Sequence, residues 1–157
     1  MTRLYGRAKS NERVNDYVPD VRFERTSIIG VLGLDGLKAD DTFKGTLNGE
    51  RFGKYVKEIL TPALEKDDIL VLDNLSVHKV KGVLDPLLEK GVKILFLPPY
   101  SSDFNPIENA WSKIKSVLRK LKARTFDALK SALSVALNSI SLDDVLGWLN
   151  HCGYVLQ

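Results

Sequence analysis

Residues 68–74 read Asp-Ile-Leu-Val-Leu-Asp-Asn, and residues 93–99 read Lys-Ile-Leu-Phe-Leu-Pro-Pro. Each stretch contains a short continuous apolar run, which is typical of a strand buried on both faces of a parallel sheet. Between them, Val80 to Lys90 has apolar residues at helical spacing and is followed by Gly91, a residue type that commonly terminates helices. Strand, helix and strand together predict a right-handed crossover unit with parallel strands.

Two acidic residues lie just beyond the predicted strands. Asp73 follows the first strand directly, and Glu108 lies in the first turn of a helix that Asn105 and Pro106 open after the second. Parallel strands end at the same edge of a sheet, and open α/β sheets place their sites there. We therefore expect the two carboxylates to face each other, where they could hold a hard divalent cation such as Mg²⁺.

Each candidate residue also has a purely structural interpretation. Asp73 fits a strand-end Asx turn, in which its carboxylate accepts hydrogen bonds from the next backbone amides. Asn105 to Glu108 has the spacing of a capping box, in which the Glu108 side chain returns to the Asn105 amide. A lone histidine such as His78 is more often a hydrogen-bonded structural residue than a catalyst. The local sequence leaves these alternatives open.

Length and composition indicate one globular domain, 1–157. The chain has 157 residues, of which 44% are hydrophobic and 27% charged, and a chain of this length buries about 70% of its unfolded surface. The single cysteine, Cys152, excludes an internal disulfide and favours a reducing compartment. No apolar run approaches the roughly 20 residues of a membrane span, and the first ten residues lack a signal-peptide core. We expect a cytoplasmic protein with no membrane partner.

The rest of the chain predicts a hairpin and further helices. Asp35-Gly36 suits the turn of an antiparallel hairpin formed by Ser27 to Leu34 and Leu37 to Thr46. The other predicted elements are a helix from Asn48 through Pro62, helices capped by Thr125 and Ser141, and at most a short strand around Arg13 to Val18.

Basic residues gather in two places, although the net charge is only +3. The helix opened by Asn105-Pro106 carries basic residues with no acid among them: Lys113, Lys115, Arg119, Lys120, Lys122 and Arg124. A solvated helix usually mixes charges of both signs, so an unmixed face favours phosphate contacts, with a merely soluble face as the alternative. The amino-terminal segment with Arg3 and Arg7 is a second, weaker basic region. We predict DNA contacts at Arg3, Arg7, Lys113, Lys115, Arg119, Lys120 and Lys122.

Two motifs frame the acids. Residues 71–79 read Val-Leu-Asp-Asn-Leu-Ser-Val-His-Lys, and residues 97–109 read Leu-Pro-Pro-Tyr-Ser-Ser-Asp-Phe-Asn-Pro-Ile-Glu-Asn. Both closely resemble motifs of the DDE transposases of the mariner superfamily, in their bacterial insertion-sequence branch. Asp73 and Glu108 have 34 residues between them, the spacing that this group uses between its second and third acids. Residues 1–8, 47–50 and 151–154 also look like that branch, whereas Ser102 stands where a proline is usual.

The resemblance implies an RNase H-like fold, a mixed α/β sheet with flanking helices. It also implies a site in which three acids hold two Mg²⁺ or Mn²⁺ ions, with Asp73 as the second acid and Glu108 as the third. The family's first acid lies in the central strand of the sheet, before the segment that matches residues 1–8. No aspartate near the start of this chain follows an apolar strand in the same way. We therefore expect an amino-terminally truncated catalytic domain that lacks its central strand.

These observations give two main functional hypotheses. The first is the carboxy-terminal catalytic-domain portion of an insertion-sequence transposase, inactive alone, whose partners are transposon-end and target DNA. Its protein partner would be a second copy of the chain, in a homodimer, or an upstream transposase fragment. The alternative is a non-catalytic fragment that binds DNA or inhibits assembly, and an unrelated α/β domain is a third, weaker interpretation.

Overall fold

The structure, a computed structural model, describes residues 7–13, 25–123 and 125–154. Its strands are β1 (Thr26–Gly33), β2 (Gly36–Lys44), β3 (Ile69–Leu72) and β4 (Lys93–Phe96). Its α-helices are α1 (Gly49–Tyr55), α2 (Thr61–Ala63), α3 (Asp85–Lys90), α4 (Ile107–Leu121), α5 (Phe126–Asn138) and α6 (Leu142–His151). The predicted strand around Arg13 to Val18 falls almost wholly outside the described residues. None of the helices within the described ranges has the length and apolar character to cross a membrane.

The predicted hairpin is confirmed. β1 pairs with β2 in antiparallel register from Thr26 opposite Lys44 to Gly33 opposite Gly36. Gly36 has a φ of +114°, a left-handed conformation that a residue with a side chain rarely adopts. The glycine of the Asp35-Gly36 pair therefore allows the tight turn that sets the strand register.

The parallel crossover unit is also confirmed. β3 and β4 run parallel, with Ile69 opposite Lys93 and Leu72 opposite Phe96. Gly91 ends the connecting helix α3 in the left-handed region, at a φ of +90°. Within the described residues the two strand pairs form separate two-stranded sheets, β1-β2 and β3-β4. The carboxyl ends of β3 and β4 therefore lie side by side at one edge of their sheet.

The prediction that these strands are buried on both faces is wrong. Adjacent residues of β3 differ sharply in exposure, since Leu70 is 4% exposed and Ile69 is 59% exposed. On β4, Leu95 is 55% exposed. Successive side chains of a strand point to opposite faces, and the helical layer formed by α1 and its continuation covers only the face of Leu70. The other face of this sheet is uncovered in the described part of the chain.

The predicted crossover helix from Val80 to Lys90 is also partly wrong. The α-helix begins only at Asp85, and the chain before it forms a 3₁₀ turn at Ser76–Lys79 followed by turns. Gly82 has a left-handed φ of +77°, which interrupts a right-handed helix. Pro86 lacks an amide hydrogen and is tolerated only in the first helical turn, so α3 starts beside it.

The hairpin lies between two hydrophobic clusters. On one side, Ile29 and Val31 pack against a cluster that includes Phe52, Tyr55, Val56, Leu60, Leu70 and Leu87. On the other side, Ile28 and Leu37 pack against a cluster of Ile114, Leu118, Ala132, Leu133 and Ala136 from α4 and α5. The adjacent side chains of Ile28 and Ile29 therefore point to opposite faces of β1 and pack into different cores, as expected for a strand with helices on both faces.

The predicted helix from Asn48 through Pro62 is confirmed, with a π-helical segment inside it. The Asn48 side chain caps α1 by accepting a hydrogen bond from the Arg51 amide at 2.9 Å. The segment Val56–Leu60 is π-helical, and the Val56 carbonyl accepts both the amide and the hydroxyl of Thr61. The predicted caps of α5 and α6 are confirmed too, at Thr125 and Ser141.

Leu87 and Leu88 offer a matched test of this core. Leu87 is 0% exposed and Leu88 is 55% exposed, although they are adjacent in α3. Leu87→Ala should lower the free energy of unfolding by about 2–5 kcal/mol, because it removes buried methyl groups and leaves a cavity. Leu88→Ala should change it by no more than about 0.5 kcal/mol. Denaturant unfolding measures both, and equal losses would show that α3 does not pack as described.

Candidate metal and DNA site

Asp73 lies at the carboxyl end of β3 with its two carboxylate oxygens in different situations. Its Oδ1 accepts a hydrogen bond from the Leu75 amide at 3.0 Å, which is the predicted Asx turn. The same Oδ1 lies 3.0 Å from Nδ1 of His78. Oδ2 has no hydrogen-bond or ion-pair partner among the described residues. The turn interpretation is therefore correct, and it leaves one oxygen of Asp73 available.

His78 is held in place by the core. Its side chain is 13% exposed, and its ring lies 4.7 Å from the buried Phe52 ring, centroid to centroid. A carboxylate oxygen only accepts hydrogen bonds, so Nδ1 must carry the proton that it shares with Asp73. His78 thus orients the Asp73 carboxylate from behind, in the manner of the outer contacts that fix acidic ligands in metal sites.

A side-chain hydrogen bond joins the ends of the two parallel strands. The Leu97 amide donates to the Leu72 carbonyl at 2.8 Å and extends the ladder by one residue beyond β4. The Asn74 side-chain amide donates to the Leu97 carbonyl in return. Pro98 and Pro99 follow and cannot donate to a ladder. The chain therefore leaves the sheet at the same edge as Asp73, on the path that leads to Glu108.

Glu108 lies in the first turn of α4, as predicted, but not in a capping box. The predicted Asn105 side-chain cap is absent: Pro106 occupies the cap position, and no side chain caps the helix. A backbone hydrogen bond of 3.2 Å from the Glu108 amide to the Asn105 carbonyl begins the helix instead. The Glu108 carboxylate is exposed and has no partner among the described residues. Its structural alternative is therefore wrong.

The basic residues of α4 divide between two sides of the helix. Lys115 and Arg119 are exposed and lie on the same face as Glu108 and Ser112, because these four positions are spaced by four, three and four residues. Lys120 is also exposed, and Lys122 lies in the left-handed turn that ends the helix. Arg7 is exposed, whereas Arg3 and Arg124 lie outside the described residues.

Lys113 has a partner that its own helix does not reveal. Its Nζ forms an ion pair with the carboxylate of Asp144 in the first turn of α6. Asp144 also accepts from the Ser141 amide at 2.8 Å and completes the capping box of α6. The hydrogen bond from Lys113, followed by those from Ser141, lowers the pKa of Asp144 to about 2. The basic stretch of α4, which has no acid in its own sequence, is thus paired with an acid from α6.

The carboxy-terminal turn contributes contacts that sequence reasoning did not find. The Tyr154 hydroxyl donates to the Phe104 carbonyl at 2.9 Å, and the Asn109 side-chain amide lies 3.9 Å from the buried Cys152 sulfur. Residues 151–154 stood out only as a motif, and no local pattern links them to the loop before α4.

The donor set fits a hard divalent cation in part. Asp73 offers one oxygen and Glu108 a free carboxylate, and Mg²⁺ binds through one or two carboxylates while it keeps waters or phosphate oxygens. No group of three acidic, histidine or cysteine side chains in the described ranges could enclose an ion. That Asp73 and Glu108 bind the same metal ion stays a prediction.

The ion pair of Lys113 and Asp144 predicts a pH-dependent contribution to stability. Since the folded pKa lies below the ordinary value of 3.8, the stabilisation is present above about pH 4 and is lost as the pH falls toward 2. Asp144→Asn should lower the free energy of unfolding at pH 7 by about 1 kcal/mol, because the partly exposed pair is screened by solvent. The difference from wild type should shrink as the pH falls from 4 through 2, where Asp144 becomes protonated in the folded protein too.

The neighbouring Asp143→Asn is the matched control, because Asp143 is exposed on the same helical turn. Unfolding curves across this pH range decide the matter. A deficit of Asp144→Asn that stays constant down to pH 2 would contradict the assignment.

Solved structures with a similar fold include three Mos1 complexes. The crystal structure of the Mos1 strand transfer complex matches with a TM-score of 0.77 at 17% identity, covering 96% of this chain and 47% of that one. The Mos1 mariner paired-end complex with Mn gives 0.73 at 15% identity, with 97% and 48% covered. The Mos1 transposase paired-end complex with the left transposon end gives 0.72 at 16% identity, with 96% and 47% covered. This chain spans about half the length of each.

The family comparison agrees with the fold. No curated protein matches the sequence. The family model described as DDE superfamily endonuclease matches residues 1–130, which is most of the chain. The predicted DDE family and the predicted RNase H-like α/β fold are thereby confirmed, whereas the insertion-sequence branch and the absent first acid stay predictions. This chain belongs to the DDE superfamily of endonucleases.

Proposed function

We propose that this chain supplies the second and third acids of a transposase catalytic domain, and that the intact assembly cleaves and transfers DNA strands. The observation that carries this proposal is the state of Asp73. Its Oδ1 is held by Leu75 and His78, while Oδ2 lacks a partner among the described residues. A carboxylate fixed on one side and available on the other is suited to bind a metal ion through a single oxygen.

Glu108 provides the second ligand in this proposal. Its helix starts beyond the sheet edge at which Asp73 lies, and its carboxylate is exposed and unpaired in the described part of the chain. Metal ions bound by Asp73 and Glu108 would activate water or a DNA 3′-hydroxyl and stabilise the leaving oxygen. Asp73 and Glu108 would hold these ions against the DNA, and His78 would fix the orientation of Asp73.

The exposed face of α4 extends from this acid toward DNA-binding residues. Along a helix that rises 1.5 Å per residue, Lys115 lies roughly 10 Å and Arg119 roughly 16 Å from Glu108. A DNA backbone that contacts both side chains would therefore run toward the acid. Lys113 forms an ion pair with Asp144, whereas Lys115 and Arg119 are exposed. We therefore assign Lys113 a smaller part in phosphate binding than Lys115 and Arg119. Lys120, Lys122, Arg7 and Arg3 remain proposed contacts.

A two-metal site of this kind needs a third acid besides Asp73 and Glu108. Within these residues, β1 pairs only with β2 and β3 pairs only with β4. Each pair therefore has an open edge that could accept a strand, and we propose that a central strand with the first acid lies between β1 and β3. Without it the chain 1–157, as a single domain, is inactive.

The wider setting belongs to the same proposal. We place the chain in the bacterial insertion-sequence branch, acting on transposon-end and target DNA in the cytoplasm. Its partner in assembly is a second copy of this chain, and the central strand with the first acid would come from an upstream transposase segment. Mg²⁺ or Mn²⁺ is the expected metal.

Metal titration tests the two acids directly. Binding of Mn²⁺, followed by water-proton relaxation, should weaken by about tenfold or more in both Asp73→Asn and Glu108→Gln, since each change removes a charged ligand. Asp103→Asn is the matched control, because Asp103 is exposed in the loop before α4. Equal affinities in all four proteins would refute the metal site. Nicking of DNA by the chain alone, lost in Asp73→Ala, would refute its inactivity.

The second candidate function is non-catalytic DNA binding, and the exposed Lys115 and Arg119 favour it. Affinity for duplex DNA should fall linearly with the logarithm of the salt concentration. The double variant Lys115→Gln/Arg119→Gln should reduce the magnitude of that slope by about 1.8, because each lost phosphate contact removes about 0.9.

The control for this experiment removes the same charge elsewhere. Lys57→Gln/Lys66→Gln changes two exposed lysines on other elements and should leave the slope within error of wild type. If both double variants shift the slope equally, the contacts are non-specific and the α4 face is not the DNA surface.

A further inference from the structure

We propose that the carboxy-terminal residues Asp144, Cys152 and Tyr154 form a clamp that positions Glu108. This inference rests on the proposed function, because it concerns how an acid of that site is held. The clamp residues lie beyond residue 130, where the family match ends. Tyr154 is the main positioning residue of this carboxy-terminal clamp.

The clamp contacts the chain on both sides of Glu108. Tyr154 reaches the carbonyl of Phe104 before the helix, at 2.9 Å. Cys152 accepts a weak hydrogen bond from Asn109 at 3.9 Å, and Asp144 pairs with Lys113 one turn further along α4. These contacts join residues that are 31 to 50 positions apart in sequence. The first turn of α4 is therefore fixed from outside its own helix.

The start of α4 needs such support. No side chain caps this helix end, and uncapped ends leave amide groups unsatisfied and are prone to opening. The preceding 3₁₀ turn Ser102–Phe104 is short, and it follows Tyr100, which has a left-handed φ of +59°. A hydrogen bond to the Phe104 carbonyl therefore holds the chain where the turn passes into the helix that carries Glu108.

The clamp also leaves the functional face open. Asn109 and Lys113 are four positions apart and lie on one side of α4, whereas Glu108, Ser112 and Lys115 follow another. The Tyr154 phenol can donate throughout the neutral range, as an ordinary tyrosine does, and partial burial and the neighbouring Cys152 raise its pKa further. The contacts thus fix the helix without covering the carboxylate.

Amide hydrogen exchange of the full chain tests the clamp without reference to metal. Tyr154→Phe keeps the ring and removes only the donor, and it should raise the exchange rates of the Phe104, Asn105 and Glu108 amides by about fivefold, the factor for one lost hydrogen bond. Tyr100→Phe is the matched control, because Tyr100 lies in the same loop and is fully exposed. If Tyr154→Phe exchanges no faster than Tyr100→Phe at these amides, the clamp is refuted.

Paramagnetic broadening by Mn²⁺ then tests the positioning role. In wild type, Mn²⁺ should broaden amide signals next to both Asp73 and Glu108. In Tyr154→Phe the broadening near Glu108 should weaken while that near Asp73 stays. Unchanged broadening at Glu108, despite faster exchange, would show that Tyr154 is only structural. Absence of broadening in wild type would refute the proposed metal site, while the exchange result would still decide the clamp.

Discussion

The parallel hydrogen-bond ladder between β3 and β4 is the constraint on which the site depends. It runs from Ile69 opposite Lys93 to Leu72 opposite Phe96, and Leu97 extends it by donating to Leu72 at 2.8 Å. A parallel pair must be joined by a crossover, so both strands leave the same edge of the sheet. Asp73 and the path toward Glu108 therefore start side by side, before any side chain of the site makes a contact.

The three sides of helix α4 make different contacts, and together they fix the position of Glu108. Its apolar side, with Ile114 and Leu118, packs against α5 and the hairpin. A second side carries Glu108, Lys115 and Arg119 outward. A third side meets α6 and the carboxy-terminal clamp through Lys113 and Asn109. A rotation of the helix about its axis would displace the core residues, the exposed charged residues and the clamp contacts together. All three sets of contacts therefore require the same helix orientation.

The sequence predicted those features that local chemistry determines. Glycine at the hairpin turn and at the end of α3, the caps Asn48, Thr125 and Ser141, and the strand before Asp73 all follow from residue type and spacing. The prediction of the first half of the crossover helix was wrong because Val83 and Leu84 can pack against the core from a turn as well as from a helix. The exposure of Ile69 depends on which layer covers the sheet, and no pattern within the strand reports that.

Long-range side-chain contacts could not be predicted in the same way. Two contacts join elements that are far apart in sequence: Lys113 with Asp144, and Tyr154 with Phe104. The basic stretch of α4 has the same local sequence pattern whether or not a distant acid pairs with it. The resemblance of residues 151–154 to a known branch was a signal that these residues matter, but it gave no role. Only the fold brings them to the first turn of α4.

A crystal structure of the chain with Mn²⁺ would test the central claim most directly, because the anomalous signal of the metal locates it without reference to the fold. The account predicts a peak that lies about 2.1 Å from both Oδ2 of Asp73 and a carboxylate oxygen of Glu108, the usual distance of a hard divalent cation from its oxygen ligands. Asp73 and Glu108 turned away from each other, with apolar side chains between them and the metal bound elsewhere, would contradict it.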